Sequence, residues 1–264
     1  LPGVFEIHGD YNPSFGEIDH PEPIAECLLP LSAAVRKKKA DMGLATDGDA
    51  DRLGAVDHTG AYVDPHRIFI LLMKYLYTTK KRRGAVVKTV SLTSMVNAYC
   101  EKNKIKLHET PVGFKYVAKL MSEEKILIGG EESGGLGTSL HIPERDGVFN
   151  GLLLLEMMAS TKKSLKQLCD DLDEEFGPHR YRRRDVRVTE QKKKSILAAC
   201  AKKPLSIGKH KVIRIDTRDG FKFYVENGWL LIRASGTEPL LRFYAEANTM
   251  ETVNELIDAA LLLS

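Results

Sequence analysis

No apolar stretch in the 264 residues approaches the ~18 that a membrane-crossing helix needs, so no membrane role is expected. Cysteine is scarce. Cys27, Cys100, Cys169 and Cys200 lie far apart, and none forms a Cys-x-x-Cys pair. That spacing fits reduced, packed thiols, and a cytoplasmic protein is expected. An excess of either charge is also missing: 39 Lys and Arg against 36 Asp and Glu leave a net +3, too little to argue for nucleic acid. The basic runs at 36–39, 80–83, 182–184 and 192–194 read as solvated faces near helix ends or linkers.

What remains is an ordinary soluble composition, 43% hydrophobic and 28% charged, at a length that suggests about two domains. The chain opens at Leu1 and enters a strand-like run, Val4–Ile7, which reads as a piece of a longer protein. Helical spacing through Ile24, Cys27, Leu28, Leu31 and Val35 predicts a helix over 23–39. A strand at 42–45 and a hairpin over 53–63 follow. Helices and strands then alternate strictly: helices at 68–77, 92–100 and 114–121, strands at 85–90, 105–109 and 126–128. Two helices, 146–158 and 165–176, close this unit. Such alternation predicts a mostly parallel sheet with helices on both faces. Residues 177–184 read as a linker. Beyond them strands at 185–188, 212–215, 221–225, 229–233 and 241–246, bracketed by helices at 191–202 and 250–262, predict an antiparallel sheet.

Three loops carry the chemistry. In Ala45-Thr46-Asp47-Gly48-Asp49-Ala50-Asp51-Arg52, three carboxylates fall at alternate positions between apolar flanks. Unit charges ~4 Å apart cost about 4 kcal/mol at an effective dielectric of ~20, so a fold that gathers them is expected to hold a hard cation, Mg2+ or Ca2+. An EF-hand is excluded, because Arg52 and His58 stand where its Gly and Glu would be. An Asp47 nucleophile of a phosphatase, or a solvated acidic turn, remains an alternative. Gly129–Gly137 has five glycines in nine positions, with Glu131 and Ser133 suited to sugar hydroxyls. Arg233-Ala234-Ser235-Gly236-Thr237-Glu238-Pro239, with Arg242 beyond it, combines two guanidinium groups, two hydroxyls and an accessible amide, the inventory for a phosphate dianion. Lys115, in the loop from Thr110, and His141 are further candidates, the latter as a proton carrier.

Asp47–Arg52, then Gly130-Glu131-Glu132-Ser133-Gly134, then Arg233–Pro239 occur in the order seen in the α-D-phosphohexomutases, and the chain resembles that superfamily over essentially its whole length. Thr110–Lys115 looks like the family's specificity loop, and Arg145-Asp146-Gly147 continues the match. The resemblance implies a mutase acting on a phosphosugar, interconverting hexose 1-phosphate and 6-phosphate (mannose or glucose) through a phosphoserine and a hexose 1,6-bisphosphate. It implies Mg2+ on Asp47, Asp49 and Asp51, with Arg52 beside the transferring phosphoryl group and Lys115 assisting. Gly113, Glu131 and Ser133 would hold the sugar, and Arg233, Ser235, Gly236, Thr237 and Arg242 the distal phosphate. Gly135 stands where some members carry His, which moves the acid/base candidate to His141. The family's Thr-Ala-Ser-His-Asn-Pro type serine motif is absent from this sequence.

The fold expected is α/β: a partial doubly wound domain (1–63, the metal loop), a complete one (64–178, the sugar loop) and a small α+β domain (179–264, the phosphate loop). The chain alone is expected to be inactive, and the edge at Val4–Ile7 is expected to invite association with another chain.

Overall fold

The structure, a computed structural model, describes residues 3–15, 18, 20–235 and 240–263. Helix α1 (Leu29–Lys38) carries Arg36, Lys37 and Lys38 in its last turn and stops at Lys39, which is left-handed. It is shorter than the helix expected over 23–39, since Pro30 fits the first turn and residues 24–28 form turns instead. Strands β1 (Met42–Thr46), β2 (Leu53–Asp57) and β3 (Tyr62–Val63) form an antiparallel sheet in that order. The buried Asp57 carboxylate closes the second hairpin by accepting from Thr59 N, Thr59 Oγ1 and Ala61 N.

Val4–Ile7 forms no strand, which corrects the expected sheet edge there. Val4 and Phe5 are exposed, no ladder partner lies beside them among the described residues, and Phe5 sits under the Lys38 ammonium instead.

The middle unit runs α2 (Pro65–Lys74), β4 (Ala85–Thr89), α3 (Met95–Lys102), β5 (Leu107–Thr110), α4 (Phe114–Glu123), β6 (Ile126–Gly130), β7 (Leu136–Thr138), α5 (Gly147–Thr161) and α6 (Leu165–Phe176). A π-helical turn, Tyr75–Thr79, extends α2. The sheet order is β5-β4-β6-β7, parallel except for β7. β7 went unexpected because Leu-Gly-Thr is too short to show a period. Adjacent residues of β4 face opposite ways: Val86 joins the large core with α2, α3, α5 and α6, while Val87 joins a small one with Phe114 and Val117 of α4. Leu53 and Ala55 of β2 lie in that same large core, so the first sheet is packed onto the middle unit by shared apolar burial.

The last unit has β8 (Arg180–Arg187), α7 (Glu190–Ala201), β9 (Ser206–Ile207), β10 (His210–Asp216), β11 (Phe221–Val225), β12 (Gly228–Ala234), β13 (Leu240–Ala247) and α8 (Met250–Leu261). Its antiparallel sheet is ordered β8-β13-β12-β11-β10-β9. The expected linker at 177–184 is therefore corrected. Arg180–Arg184 opens an edge strand: Arg182 and Arg183 stay exposed, as a solvated face would, while Arg182 also pairs with Asn254 and Arg184 with Asp258 of α8. One face of the sheet buries Phe223, Leu230, Ile232 and Phe243 in the core shared with α7 and α8. The other carries Trp229, Leu231 and Tyr244 against Val90 and Val112 of the middle unit.

Candidate functional site

The acidic loop joins β1 to β2. Asp47 shapes it from within: its Oδ1 accepts from both Asp51 N and Arg52 N, each at 3.0 Å. Ala50 sits at φ +60°, a left-handed position unusual for a residue with a Cβ, and this turn brings the aspartates together. One carboxylate oxygen from each of Asp47, Asp49 and Asp51 lies within 4.8 Å of the others. Arg52 Nε stands 3.3 Å from Asp47, and Arg145 pairs with Asp51 Oδ2 at 2.7 Å. The remaining oxygen of Asp51 is buried without a hydrogen bond. Burial pushes the Asp51 carboxyl above its ordinary value against the pull of Arg145, and Asp47 and Asp49 push the same way. Three hard oxygen donors, one of them orphaned, fit a hard divalent cation.

Asp49 is the exposed member and makes no cap or ladder contact, so its role is separable from folding. Asp49→Asn is expected to shift Tm by no more than about 2 °C. The same change should weaken Mg2+ binding roughly tenfold or more, because affinity follows ligand charge. Calorimetric titration of both proteins checks this; equal affinities would show that Asp49 is no ligand.

The glycine-rich loop is laid directly against the acidic one. Leu53 N donates to Gly134 O at 3.1 Å, Arg52 bridges Gly135, and Gly147 N donates to Ala50 O at 2.8 Å. Gly134 has φ +100°, and a Cβ there would stand 2.7 Å from Leu53 O. At Gly135 a Cβ would stand 2.5 Å from Arg145 Cδ, so glycine leaves the room through which Arg145 reaches Asp51. Arg145, assigned no role from sequence, is thus part of the acidic centre; its place in the Arg-Asp-Gly motif was the available signal. Glu131 is 6% exposed, and its Oε1 accepts from Gly113 N at 2.8 Å. Burial, then the neighbouring Glu132, raises the Glu131 carboxyl. Glu132 is engaged elsewhere, accepting from Ser91 Oγ at 2.6 Å.

The arginines of the last loop are direct cross-strand partners on β12 and β13, so their side chains share one face. Like charges so placed repel, and each has its own counter-ion: Asp219 lies 2.9 Å from Arg233 Nε, and Asp185 lies 3.5 Å from Arg242 Nε. Arg183 holds Asp185 through two bonds, at 2.8 and 2.7 Å. Neither carboxylate was singled out from sequence, because both sit far along the chain from their arginines. Ser235 is buried beside the pair, with Lys193 donating to its carbonyl at 3.2 Å. Gly236 and Thr237, also expected in this set, lie outside the described residues.

A cleft of about 600 Å³ is lined by Arg52 and Ser133 at one part and by Tyr181, Arg183 and Asp185 at another. Among the described residues the acidic loop contributes Arg52 to that lining; the aspartates, Glu131, Lys115, Arg233 and Arg242 lie outside it. Lys115 is exposed on the first turn of α4, its ammonium 5.1 Å from the Tyr116 ring centroid. His141 is exposed, stacked on Phe149, and fixed by Asp146 at 2.9 Å. That aspartate also caps α5 through Phe149 N, so it ties the histidine to the helix start.

An aspartate cluster, a glycine-rich acidic loop and a paired-arginine hairpin are thus carried on two α/β units and an antiparallel one. Models of the phosphoglucomutase/phosphomannomutase family match in series: alpha/beta/alpha domain II over residues 2–60, alpha/beta/alpha domain III over 64–176 and the C-terminal domain over 185–263. The chain belongs to that family. It is 32% identical over 244 residues to a phosphoglucomutase/phosphomannomutase of Thermococcus kodakarensis, covering 92% of this chain and 51% of that protein. A phosphoglucosamine mutase of Bacillus cytotoxicus is 35% identical over 239 residues, 90% of this chain and 48% of its own. Among solved structures, a putative phosphomannomutase from Thermus thermophilus superposes with a TM-score of 0.81 at 34% identity, covering 96% of this chain and 53% of that one. The chain spans about half the length of the curated relatives it matches. No described helix is long and apolar enough to cross a membrane.

Proposed function

We propose that the chain carries the metal, sugar and distal-phosphate sites of a cytoplasmic phosphohexose mutase that interconverts hexose 1-phosphate and 6-phosphate through a phosphoserine and a hexose 1,6-bisphosphate. In this reading 1–63 is the later part of a second domain, 64–178 a third and 179–264 a fourth. Asp47, Asp49 and Asp51 would hold Mg2+, which supplies charge neutralisation at the phosphoryl group. Arg52 would stand beside that group, Glu131, Ser133 and Gly113 would orient the sugar, Lys115 would assist at the sugar or its phosphate, and His141 would be the acid/base. Arg233, Ser235, Gly236, Thr237 and Arg242 hold the phosphate that does not react. Phosphoryl transfer depends chiefly on positioning and charge stabilisation, which this set provides.

The observation that carries the reading is the cross-strand pair Arg233–Arg242, two guanidinium groups on one face with a carboxylate behind each. A phosphatase with Asp47 as nucleophile is disfavoured, because that side chain is 8% exposed and its Oδ1 is committed to two backbone amides. Mannose, glucose and glucosamine phosphates all fit the donors named.

The sequence holds no serine in the nucleophile motif, so the chain alone is expected to bind but not turn over substrate. With glucose 1-phosphate, glucose 1,6-bisphosphate and Mg2+, no glucose 6-phosphate should form. Calorimetry should still detect glucose 6-phosphate binding that Arg233→Gln removes. Robust turnover would defeat the claim that the nucleophile lies elsewhere, and binding indifferent to Arg233 would defeat the phosphate site.

A further inference from the structure

Between the sugar-side loop and the phosphate-side arginine lies a carboxylate that touches both. The turn Arg218-Asp219-Gly220 joins β10 to β11, and it reaches across the junction between the middle and last units. Asp219 Oδ2 accepts from Val112 N at 2.7 Å and stands 2.9 Å from Arg233 Nε as an ion pair. Arg218 supports the same reach, donating to Glu109 O at 2.6 Å. The next amide along, Gly113 N, donates to Glu131 Oε1. Gly220 has φ +82°, and a Cβ there would stand 2.3 Å from Ile232 O and 3.0 Å from Arg233 Cγ, so the turn is pressed onto the strand beside the arginine. Glu131, Gly113, Val112, Asp219 and Arg233 thus form one continuous series of polar contacts, with Tyr244 Oη at its far end, 3.3 Å from an Arg233 terminal nitrogen.

We propose that Asp219 is a positioning residue: it fixes the Arg233 guanidinium by its Nε edge and ties that arginine to the 110–113 loop, so that filling the phosphate site is felt at the sugar-side loop. The inference rests on the phosphate site proposed above. With Nε engaged by Asp219 and one terminal nitrogen near Tyr244, the outer edge of the guanidinium has a set direction, which bidentate recognition of a phosphate requires.

A plain counter-charge and a positioning residue predict opposite signs. If Asp219 only neutralised Arg233, Asp219→Asn would raise the local positive potential and strengthen anion binding. As a positioning residue, its loss frees the arginine and should weaken binding about fivefold or more, on the scale of one typical polar contact. Asn can still accept from Val112 N, so the loop itself is retained.

The test uses the whole chain with inorganic phosphate and glucose 6-phosphate, read by calorimetry and by amide resonances of Val112 and Gly113. Phosphate should bind wild type, lose affinity in Arg233→Gln, and move both amides on saturation. In Asp219→Asn the affinity should fall and the amide response should vanish. If that variant does not fold, the response of the two amides in wild type decides the matter. Binding that requires Arg233 while leaving both amides still, or that Asp219→Asn leaves equal or tighter, overturns the positioning role alone. No saturable phosphate effect, or one that survives Arg233→Gln, overturns the phosphate site and this role with it.

Discussion

Lys88→Met is expected to lower the unfolding free energy by about 3–5 kcal/mol, the cost of breaking a buried ion pair by removing one partner. Lys88 lies on the central strand β4 and is 1% exposed. Its ammonium meets Leu92 O at 3.1 Å, Thr93 O at 3.0 Å, Asn97 Oδ1, and Glu109 Oε1 at 3.2 Å. Burial alone would raise the Glu109 carboxyl, but Lys88 leads the groups that hold it at about 2. Methionine fills much of the volume yet takes the donor from Leu92 O, Thr93 O and Asn97 Oδ1 and leaves the Glu109 carboxylate with Asn97 Nδ2 but without its buried counter-charge. The variant should also respond differently to acid. A carboxyl depressed from 4.5 to about 2 contributes stability that is present above 4.5 and lost as pH falls toward 2. Without Lys88 that contribution shrinks, so the gap between wild type and variant should narrow from pH 7 to pH 3. Urea unfolding at both pH values measures this. A loss below about 1 kcal/mol at pH 7 would mean that the pair behaves like an exposed one.

Nothing in the sequence marked Lys88 for such a place. In Ala85–Thr89 it is one polar residue among apolar ones, and alternation assigns such a residue to a solvated face. The ammonium is instead enclosed by the 92–97 segment and by Glu109 of the neighbouring strand β5, and contacts of that kind leave no local period. The same limit explains the arginine run at 180–184. Basic residues in series read as a linker until the helix carrying Asn254 and Asp258 is brought beside them. The alternation of helices and strands through the middle unit was legible, because amphipathic period and burial agree there. The three loops were legible as well, since carboxylates, glycines and arginines concentrate at turns where strands end. Their supports were not: Arg145 and Asp219 act through contacts that depend on how the units meet, and Asp185 through the pairing of β8 with β13, strands far apart in the chain.

Lys222→Met is expected to flatten the rise of stability with alkaline pH. Lys222 points from β11 into the same junction, 2% exposed, donating to Val90 O at 2.6 Å and lying 4.0 Å from the Trp229 ring centroid. Burial, then repulsion from Lys88, pushes its ammonium down to about 7, against attraction from Glu109, Glu246 and Asp216. The unfolded chain therefore binds the proton more tightly than the folded one between about 7 and 10.5. In that window stability rises with pH, and below it the fold carries the cost of an unfavourably buried cation. A neutral amine can still donate to Val90 O, so alkaline pH relieves the charge without breaking the bond. Methionine removes both the charge and the donor. Relative to wild type, Lys222→Met should be equally or more stable at pH 6 and clearly less stable at pH 9.5. Each slope is to be taken from urea unfolding, and the difference between them reports Lys222 together with the groups coupled to it, Lys88 and Glu109. Comparing Lys88→Met with the double variant tests the repulsion directly: with Lys88 gone, the Lys222 amine of the single variant should hold its proton to higher pH, so the rise that Lys222 contributes should begin later. Parallel pH profiles for wild type and Lys222→Met would show that this lysine is not strained by its burial.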